Sequence, residues 1–146
     1  MSSDLSPAEC AALIRQSRWV VALTGAGVST AAGIADFRGP NGIYRTGQYD
    51  ADRVFDVGHF RRDPREFFRF ARDLAALIDR LEPTFTHRFL ARLEAEDLLL
   101  GVITQNVDPL HHLAGSRHVV SIHGDFAHAH CTECGRTVTY EELLER

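Results

Sequence analysis

The chain has 146 residues, of which 45% are apolar and 25% charged, the usual balance of a globular domain. This composition excludes disordered and fibrous folds, and a chain of this length buries roughly 70% of its unfolded surface. No apolar run approaches the ~18 residues of a membrane helix, and the N-terminus lacks a basic segment followed by an apolar one. We therefore expect a soluble, cytoplasmic protein without a membrane span.

The 16 basic residues, all of them arginine, are outnumbered by 20 acidic ones, which gives a net charge of −4. The arginines are interspersed with acids, as in the Arg-Arg-Asp-Pro-Arg-Glu segment at 61–66, and this pattern is typical of a solvated helix face. A nucleic-acid-binding surface would need a basic stripe instead. We therefore expect no nucleic-acid partner, while the oligomeric state is left open.

The first predicted elements are a helix and a strand. Residues 6–9, Ser-Pro-Ala-Glu, form a capping box with proline at the first helical position. Residues 19–23 are a continuous apolar run, which predicts a strand buried on both faces, as in a parallel sheet. Residues 33–58 lack a sustained period and are long for an idle loop, which favours a lid or binding segment.

Further along, helices and strands alternate. A capping signal at 63–66 begins a helix with one apolar face that ends before Pro83. The remaining predicted elements are a helix over 85–93, a strand over 98–104, a short helix over 110–114 closed by Gly115, and a strand over 119–122. This repeated βα order predicts an α/β fold with an open, doubly wound parallel sheet.

Glycines follow the first predicted strand. Gly25-Ala26-Gly27 lies at a strand-to-helix turn, where backbone N–H groups can approach a pyrophosphate closely. Thr30 occupies the place of the third glycine in the usual dinucleotide pattern. A turn that merely needs glycine is the ordinary alternative.

Polar residues follow all three predicted strands, at the edge where open α/β sheets bind ligands. Each has an ordinary alternative, since an aspartate can cap a helix, an arginine can be a surface charge and a histidine can belong to a turn. Their common placement favours one functional crevice. Its candidate residues are Asp36, Phe37, Arg38, Gln105, Asn106, Val107, Asp108 and His123.

The motifs GAGVSTAAGIADFRGPNGIY and TQNVDPLH, the His-Gly at His123 and the C-x-x-C at Cys131 resemble the sirtuins, NAD-dependent protein deacylases. The resemblance extends over about residues 19–134 and implies a Rossmann-like NAD-binding domain. It implies that Ala26, Thr30 and Arg38 contact the phosphates and adenosine side of NAD, Gln105 a ribose hydroxyl, and Phe37, Val107 and Asp108 the nicotinamide. It also implies that Asn106 orders the catalytic ribose and a water.

By the same resemblance His123 is the general base. A histidine with a pKa near ~6.5 suits a base that takes a proton from a ribose hydroxyl at neutral pH. The implied products are free lysine, nicotinamide and O-acetyl-ADP-ribose. Relatives that prefer acidic acyl groups carry Tyr and Arg three positions apart, but here Tyr44 is followed by Gly47 and Tyr49 by Asp52. The implied partner is therefore an acetyl-lysine protein.

Cys131 and Cys134 form the single C-x-x-C pair, and the third cysteine, Cys10, is distant in sequence. Sirtuins bind a structural Zn²⁺ with two such pairs, and zinc takes four ligands, so the site is incomplete here. His128 and His130 are alternative ligands, although they crowd against Cys131. A redox C-x-x-C is disfavoured because the motif does not open a helix after a strand.

We predict two parts: residues 1–124 as the N-terminal part of the NAD-binding domain, and residues 125–146 as the first part of a small zinc-binding module. The segment 139–146 opens with a capping box and lacks a C-cap, so we expect a truncated chain. Two other functions stay open. One is a non-catalytic module that binds NAD or ADP-ribose, and the other is a small metal-binding interaction domain around the cysteines.

Overall fold

A computed structural model describes residues 4–36, 38–78, 80–139 and 142. Its centre is a sheet of three parallel strands in the order β1-β2-β3, formed by Val21–Thr24, Gly101–Thr104 and Val119–Ser121. Thr24 pairs with Thr104, and Thr104 with Ser121, so all three strands end at the same edge. The predicted α/β fold with a parallel sheet is confirmed.

Seven helices accompany the strands in the described part of the chain. Two 3-10 turns, Ala26–Val28 and Thr30–Ala32, follow β1 directly. The helices are α1 (Pro7–Gln16), α2 (Ile43–Thr46), α3 (Ala51–Phe55), α4 (Val57–Arg62), α5 (Arg65–Ile78), α6 (Phe85–Ala95) and α7 (Leu110–Leu113). Among the described helices, none is long and apolar enough to cross a bilayer.

The start of α1 and the end of α7 follow the sequence signals. The Ser6 side chain accepts a hydrogen bond from the Glu9 backbone N–H, and the Glu9 carboxylate accepts one from the Ser6 N–H, which completes the capping box. After α7, Gly115 adopts φ +99°, a left-handed conformation that favours glycine. Both predicted boundaries are confirmed.

The segment 33–58, predicted to be a lid or binding segment, is not one continuous loop. It contains α2, α3 and the start of α4, and the Asp50 and Asp56 side chains cap the last two. A helix of four to six residues makes less than two turns, so no sustained period appears in its sequence. Their apolar residues form a small core with α5, made of Ile43, Ala51, Val54 and Phe70.

The two faces of the sheet differ in burial, which corrects the prediction that the first strand is buried on both faces. Leu23, Ile103 and Val120 are adjacent by register on one face, and all three are exposed, Leu23 by 69%. The alternate positions Val102 and Thr104 are almost fully buried. A run of apolar residues predicts double burial only when both faces are covered, and the described elements cover one.

A second sheet, absent from the sequence prediction, lies in the C-terminal part. Strands β4 (His128–His130) and β5 (Thr137–Thr139) pair antiparallel. Three-residue strands are too short to leave a readable alternation in the sequence. The predicted capping box at the end is present, since Thr139 and Glu142 exchange side-chain to backbone hydrogen bonds, while most of the predicted final helix lies outside the described residues.

Candidate functional site

The ends of the three parallel strands meet in one crevice. Asn106 follows β2 by two residues and His123 follows β3 by two residues, from the paired positions Thr104 and Ser121. The Ile122 N–H donates to the Thr104 carbonyl at 3.0 Å and continues the pairing beyond β3. Parallel pairing therefore brings together the three polar segments that the sequence singled out.

The glycine turn after β1 leaves room for a ligand. Gly25 is extended, and a Cβ added to it would lie 3.5 Å from Nε2 of Gln105, whereas a Cβ on Gly27 would meet no atom within 4 Å. Ala26 begins the first 3-10 turn, and the leading N–H groups of a helix lack partners within it. Thr30, at the second turn, is exposed, so the backbone here is accessible to an anion.

Asn106 joins the ends of β1 and β2. Its Nδ2 donates to the Gly25 carbonyl at 3.2 Å and lies 3.1 Å from Oγ of Ser29, while its backbone N–H donates to Oγ1 of Thr104 at 3.0 Å. Asn106 and Ser29 are both buried, so these contacts lie beneath the surface of the crevice. Buried hydrogen bonds hold a side chain in one orientation because breaking them leaves unpaired polar groups.

Both carboxylate oxygens of Asp108 accept hydrogen bonds. Its Oδ2 accepts a hydrogen bond from Ser29 at 2.9 Å, and its Oδ1 accepts one from the Leu110 N–H at 3.0 Å. Asp108 thus also bonds the first N–H group of α7, although the N-cap position itself is Pro109. Ser29 was not among the predicted site residues; the signal that could have found it is its position two residues after the glycine turn.

Asp36 stabilises its own loop. Its Oδ1 accepts from the Gly39 N–H and its carbonyl accepts from the Ile43 N–H, both at 2.8 Å. Arg38 is exposed and Phe37 lies outside the described residues. A cavity of about 400 Å³ adjoins this loop and the second 3-10 turn. It is lined by Thr30, Gly33, Ile34, Ala35, Asp36, Pro40 and Asn41.

The other predicted residues lie along the same edge. His123 and Gln105 are exposed to solvent, and Val107 is half-buried. Immediately after His123, Gly124 adopts φ +81°, a left-handed backbone conformation that residues with a side chain rarely adopt. An exposed imidazole on the crevice edge can exchange protons with a bound molecule and with water.

Two histidines beneath the crevice are buried and neutral. Burial, and secondarily the neighbouring His87, lower the pKa of His111 to about 4, although the Asp108 carboxylate opposes this. Burial likewise lowers the pKa of His87, again against Asp108. The sequence analysis did not select His87, because a histidine within a helix carries no signal of its burial.

Unlike these two histidines, the cysteine pair is exposed to solvent. Cys131 and Cys134 are exposed in the turn between β4 and β5, where the Gly135 N–H donates to the Cys131 carbonyl at 2.9 Å. Backbone N–H groups of Cys134 and Glu133 lower the pKa of the Cys131 thiol. Within the described ranges, no group of three or more His, Cys, Asp or Glu side chains is placed to hold a metal. Two thiolates are half of a tetrahedral zinc site, so these residues alone do not fit the ion.

The sequence profile of the Sir2 family matches residues 25–146, which include the glycine turn after β1 and the segments that follow β2 and β3. The chain belongs to the Sir2 family. The resemblance to sirtuins is thereby confirmed. An NAD-dependent protein deacetylase of Thermotoga maritima is 43% identical over 134 residues, which are 92% of this chain and 53% of that protein.

Solved Sir2 structures share the fold. One, in complex with a deacetylated p53 peptide and 3'-O-acetyl ADP ribose, has a TM-score of 0.86 and 41% identity over 97% of this chain and 56% of that one. Another, with a p53 peptide and NAD⁺, has a TM-score of 0.85 and 39% identity over 97% of this chain and 55% of that one. The chain thus spans about half the length of the relatives that it matches.

Proposed function

We propose that this chain carries the dinucleotide-binding and catalytic crevice of an NAD-dependent protein-lysine deacetylase. The observation that carries the proposal is one hydrogen-bond network. In it Asn106 bonds both Gly25 and Ser29, and Ser29 donates to Asp108, at the edge of the sheet where His123 follows β3. The Sir2 family membership of the chain supports it, as does the complex of a relative with peptide and NAD⁺.

The residues present fit a dinucleotide. The backbone of the Gly25-Ala26-Gly27 turn is open to a pyrophosphate, and Thr30 and Arg38 lie exposed for its phosphates and adenosine side. We assign a ribose hydroxyl to Gln105, and the nicotinamide to Phe37, Val107 and Asp108. NAD supplies an activated glycosidic bond to nicotinamide, whose cleavage develops positive charge on the ribose.

Each polar side chain then has one task. The Asp108 carboxylate is oriented by Ser29 and by the Leu110 N–H, so it can accept a hydrogen bond from the carboxamide N–H of the nicotinamide. Asn106 is fixed by Gly25 and Ser29 and orders the ribose and a water. His123, exposed at the edge of the crevice, would take the proton of a ribose hydroxyl and so act as the general base. The products are deacetylated lysine, nicotinamide and O-acetyl-ADP-ribose.

A second candidate is binding of NAD or ADP-ribose without turnover. It is favoured by the observation that the chain matches only 53% of the length of the Thermotoga maritima deacetylase. Catalysis needs the acetyl oxygen held near the ribose carbon within about 0.5 Å, and that precision requires a complete peptide cleft. We expect the 146-residue chain alone to bind NAD and to lack measurable deacetylation.

Calorimetric titration with NAD and a mass-spectrometric assay on an acetyl-lysine peptide separate the two candidates. In a protein that continues this chain to the length of its relatives, His123→Ala should abolish turnover and leave NAD affinity largely intact. His112→Ala, which removes an exposed imidazole in α7, is the matched control. Equal turnover without NAD would overturn the deacetylase proposal, and robust deacetylation by the 146 residues alone would overturn the second expectation.

For the cysteines we propose half of a structural zinc site, which becomes complete only when two further ligands are supplied. We further propose a cytoplasmic location and an acetyl-lysine protein as substrate. Metal analysis after dialysis, combined with native mass spectrometry, tests the first point. One tightly held zinc per monomer that is lost on substituting His128 and His130 would show that the histidines complete the site.

A further inference from the structure

Beneath the crevice lies a buried polar unit of Thr24, Thr84, His87 and His111, which we call the histidine clamp. The Thr84 hydroxyl donates to the Val28 carbonyl at 2.9 Å, and the same oxygen lies 2.8 Å from Nδ1 of His87. The His87 and His111 rings pack edge to face with centroids 4.6 Å apart. His111 Nε2 lies 2.9 Å from Oγ1 of Thr24. The clamp thus connects the two residues that flank the Gly25-Ala26-Gly27 turn.

The two imidazoles of the clamp are almost fully buried, and each has one ring nitrogen without a partner among the described residues. His87 is 0% exposed and His111 1% exposed. Nε2 of His87 and Nδ1 of His111 are buried without a hydrogen-bond partner among the described residues. Unpaired buried polar atoms cost free energy, and apolar side chains of the same size would fill this space without that cost. The two imidazoles add the polar contacts to the Thr24 and Thr84 side chains, and His87 Nδ1 also accepts a hydrogen bond from the Thr84 N–H at the start of α6.

The glycine turn needs such an external constraint. Glycine residues restrict the backbone least, and no atom lies within 4 Å of the place where a Gly27 side chain would begin. Backbone donors stabilise a bound anion only when their positions vary by no more than about 0.5 Å. The residue before the turn, Thr24, and the residue after it, Val28, are therefore the points from which the turn can be held.

We propose that the histidine clamp positions the Gly25-Ala26-Gly27 turn for the phosphates of the dinucleotide without touching the ligand. The inference rests on the proposed function, since it assigns Thr24, Thr84, His87 and His111 as positioning residues of the same site. Burial keeps both imidazoles neutral at pH 7, so the clamp acts through hydrogen bonds and ring packing rather than through charge.

The test compares ADP-ribose affinity with stability in matched variants of the full chain. Thr84→Val preserves the shape of the side chain but removes the hydrogen bond to Val28, and Thr84→Ser restores it. Val54→Ala disturbs the separate core of α2, α3 and α5, where Val54 is almost fully buried. Titration calorimetry gives the dissociation constant, and urea unfolding gives the stability of each variant.

We expect Thr84→Val to weaken ADP-ribose binding about tenfold, and Thr84→Ser and Val54→Ala to leave it within about twofold of the original. Thr24→Val, at the other end of the clamp, should reproduce the loss and serves if Thr84→Val does not fold. Without ligand, amide hydrogen exchange of Val28 and Ser29 should accelerate in both valine variants but not in Val54→Ala.

A spectroscopic readout separates positioning from general stability. ADP-ribose should shift the imidazole ¹⁵N resonances of His87 and His111, which a ligand bound at the crevice does not contact. Unchanged affinity in both valine variants, or a loss in Val54→Ala as large as theirs, would show that the clamp only packs. If the unaltered chain does not bind ADP-ribose or NAD, the proposed function itself is wrong, and the inference falls with it.

Discussion

The crevice and the cysteine hairpin, formed by β4, β5 and the turn between them, are stabilised in opposite ways. In the crevice, three side-chain hydrogen bonds of Asn106 and Asp108 join residues 77 to 81 positions apart in the sequence, and the atoms involved are buried or half-buried. In the hairpin, His128 pairs with Thr139 only 11 positions away, and both cysteines are exposed. The crevice therefore depends on the core of the fold, whereas the hairpin depends on local pairing.

The largest difference between the two regions is expected in the free energy of unfolding when one apolar side chain in each is truncated. Leu110 is 0% exposed at the start of α7, and Leu110→Ala should lower the free energy of unfolding by about 2–5 kcal/mol through lost burial and a cavity. Val138 is the half-buried residue of β5, and Val138→Ala should lower the free energy of unfolding by less than about 1 kcal/mol. Urea unfolding followed by circular dichroism measures both, and equal costs would mean that the hairpin is as well anchored as the crevice.

Acid should destabilise the crevice through His111. Its pKa is about 4 in the folded chain against an ordinary 6.5, so the unfolded chain binds the proton more readily. The stabilisation is complete above pH 6.5 and is lost between pH 6.5 and 4, by up to about 3 kcal/mol. His111→Gln should flatten this part of the pH profile of the unfolding free energy, whereas His130→Gln in the hairpin should leave it unchanged.

The next largest effect on stability is expected from Glu94, because it bonds the residues just before β3, the strand that His123 follows. Its buried carboxylate accepts from the Arg117 and His118 N–H groups at 2.9 and 2.8 Å and contacts the His118 imidazole. Burial alone would raise the pKa of Glu94, but these donors outweigh it and lower the pKa, so the stabilisation is lost as the pH falls below about 4.5.

Replacement of that carboxylate by an amide leaves some of its donors without an acceptor. Glu94→Gln should therefore cost about 1–3 kcal/mol at pH 7. Glu96→Gln, which removes an exposed ion pair with Arg92, should cost less than about 0.5 kcal/mol. Thermal unfolding at pH 7 and pH 4 checks the pair, and the difference between the two variants should shrink at the lower pH.

The smallest effect is expected from the cysteines. Replacing Cys131 and Cys134 together by alanine should leave the stability of this chain nearly unchanged, with or without added zinc, because two thiolates do not complete a structural site. Thermal scans with equimolar zinc and with a chelator provide the measurement. A large zinc-dependent shift in the original chain that vanishes in the double variant would contradict this expectation.

The sequence predicted the elements whose signals are local. The capping box of α1, the Gly115 stop after α7 and the parallel α/β order are all found in the structure. Asn106 and Asp108, two of the predicted crevice residues, meet the end of β1 through hydrogen bonds to Gly25 and Ser29, because parallel strands deliver whatever follows them to one edge. Within α6, however, apolarity was misleading: Phe85 is 77% exposed, whereas His87 and Glu94 of the same helix are buried.

Periodicity, caps and motif order in the sequence by themselves determined the fold class, the family and the residues at the strand ends. Only the tertiary structure decided which face of the sheet is covered, that 33–58 folds into short helices, and that Ser29, Thr84, His87 and His111 support the glycine turn. The physical reason is range: a cap or a period depends on neighbours within a few residues. Burial and hydrogen bonds such as Thr84 to Val28, 56 positions apart, depend on the packing of the whole chain.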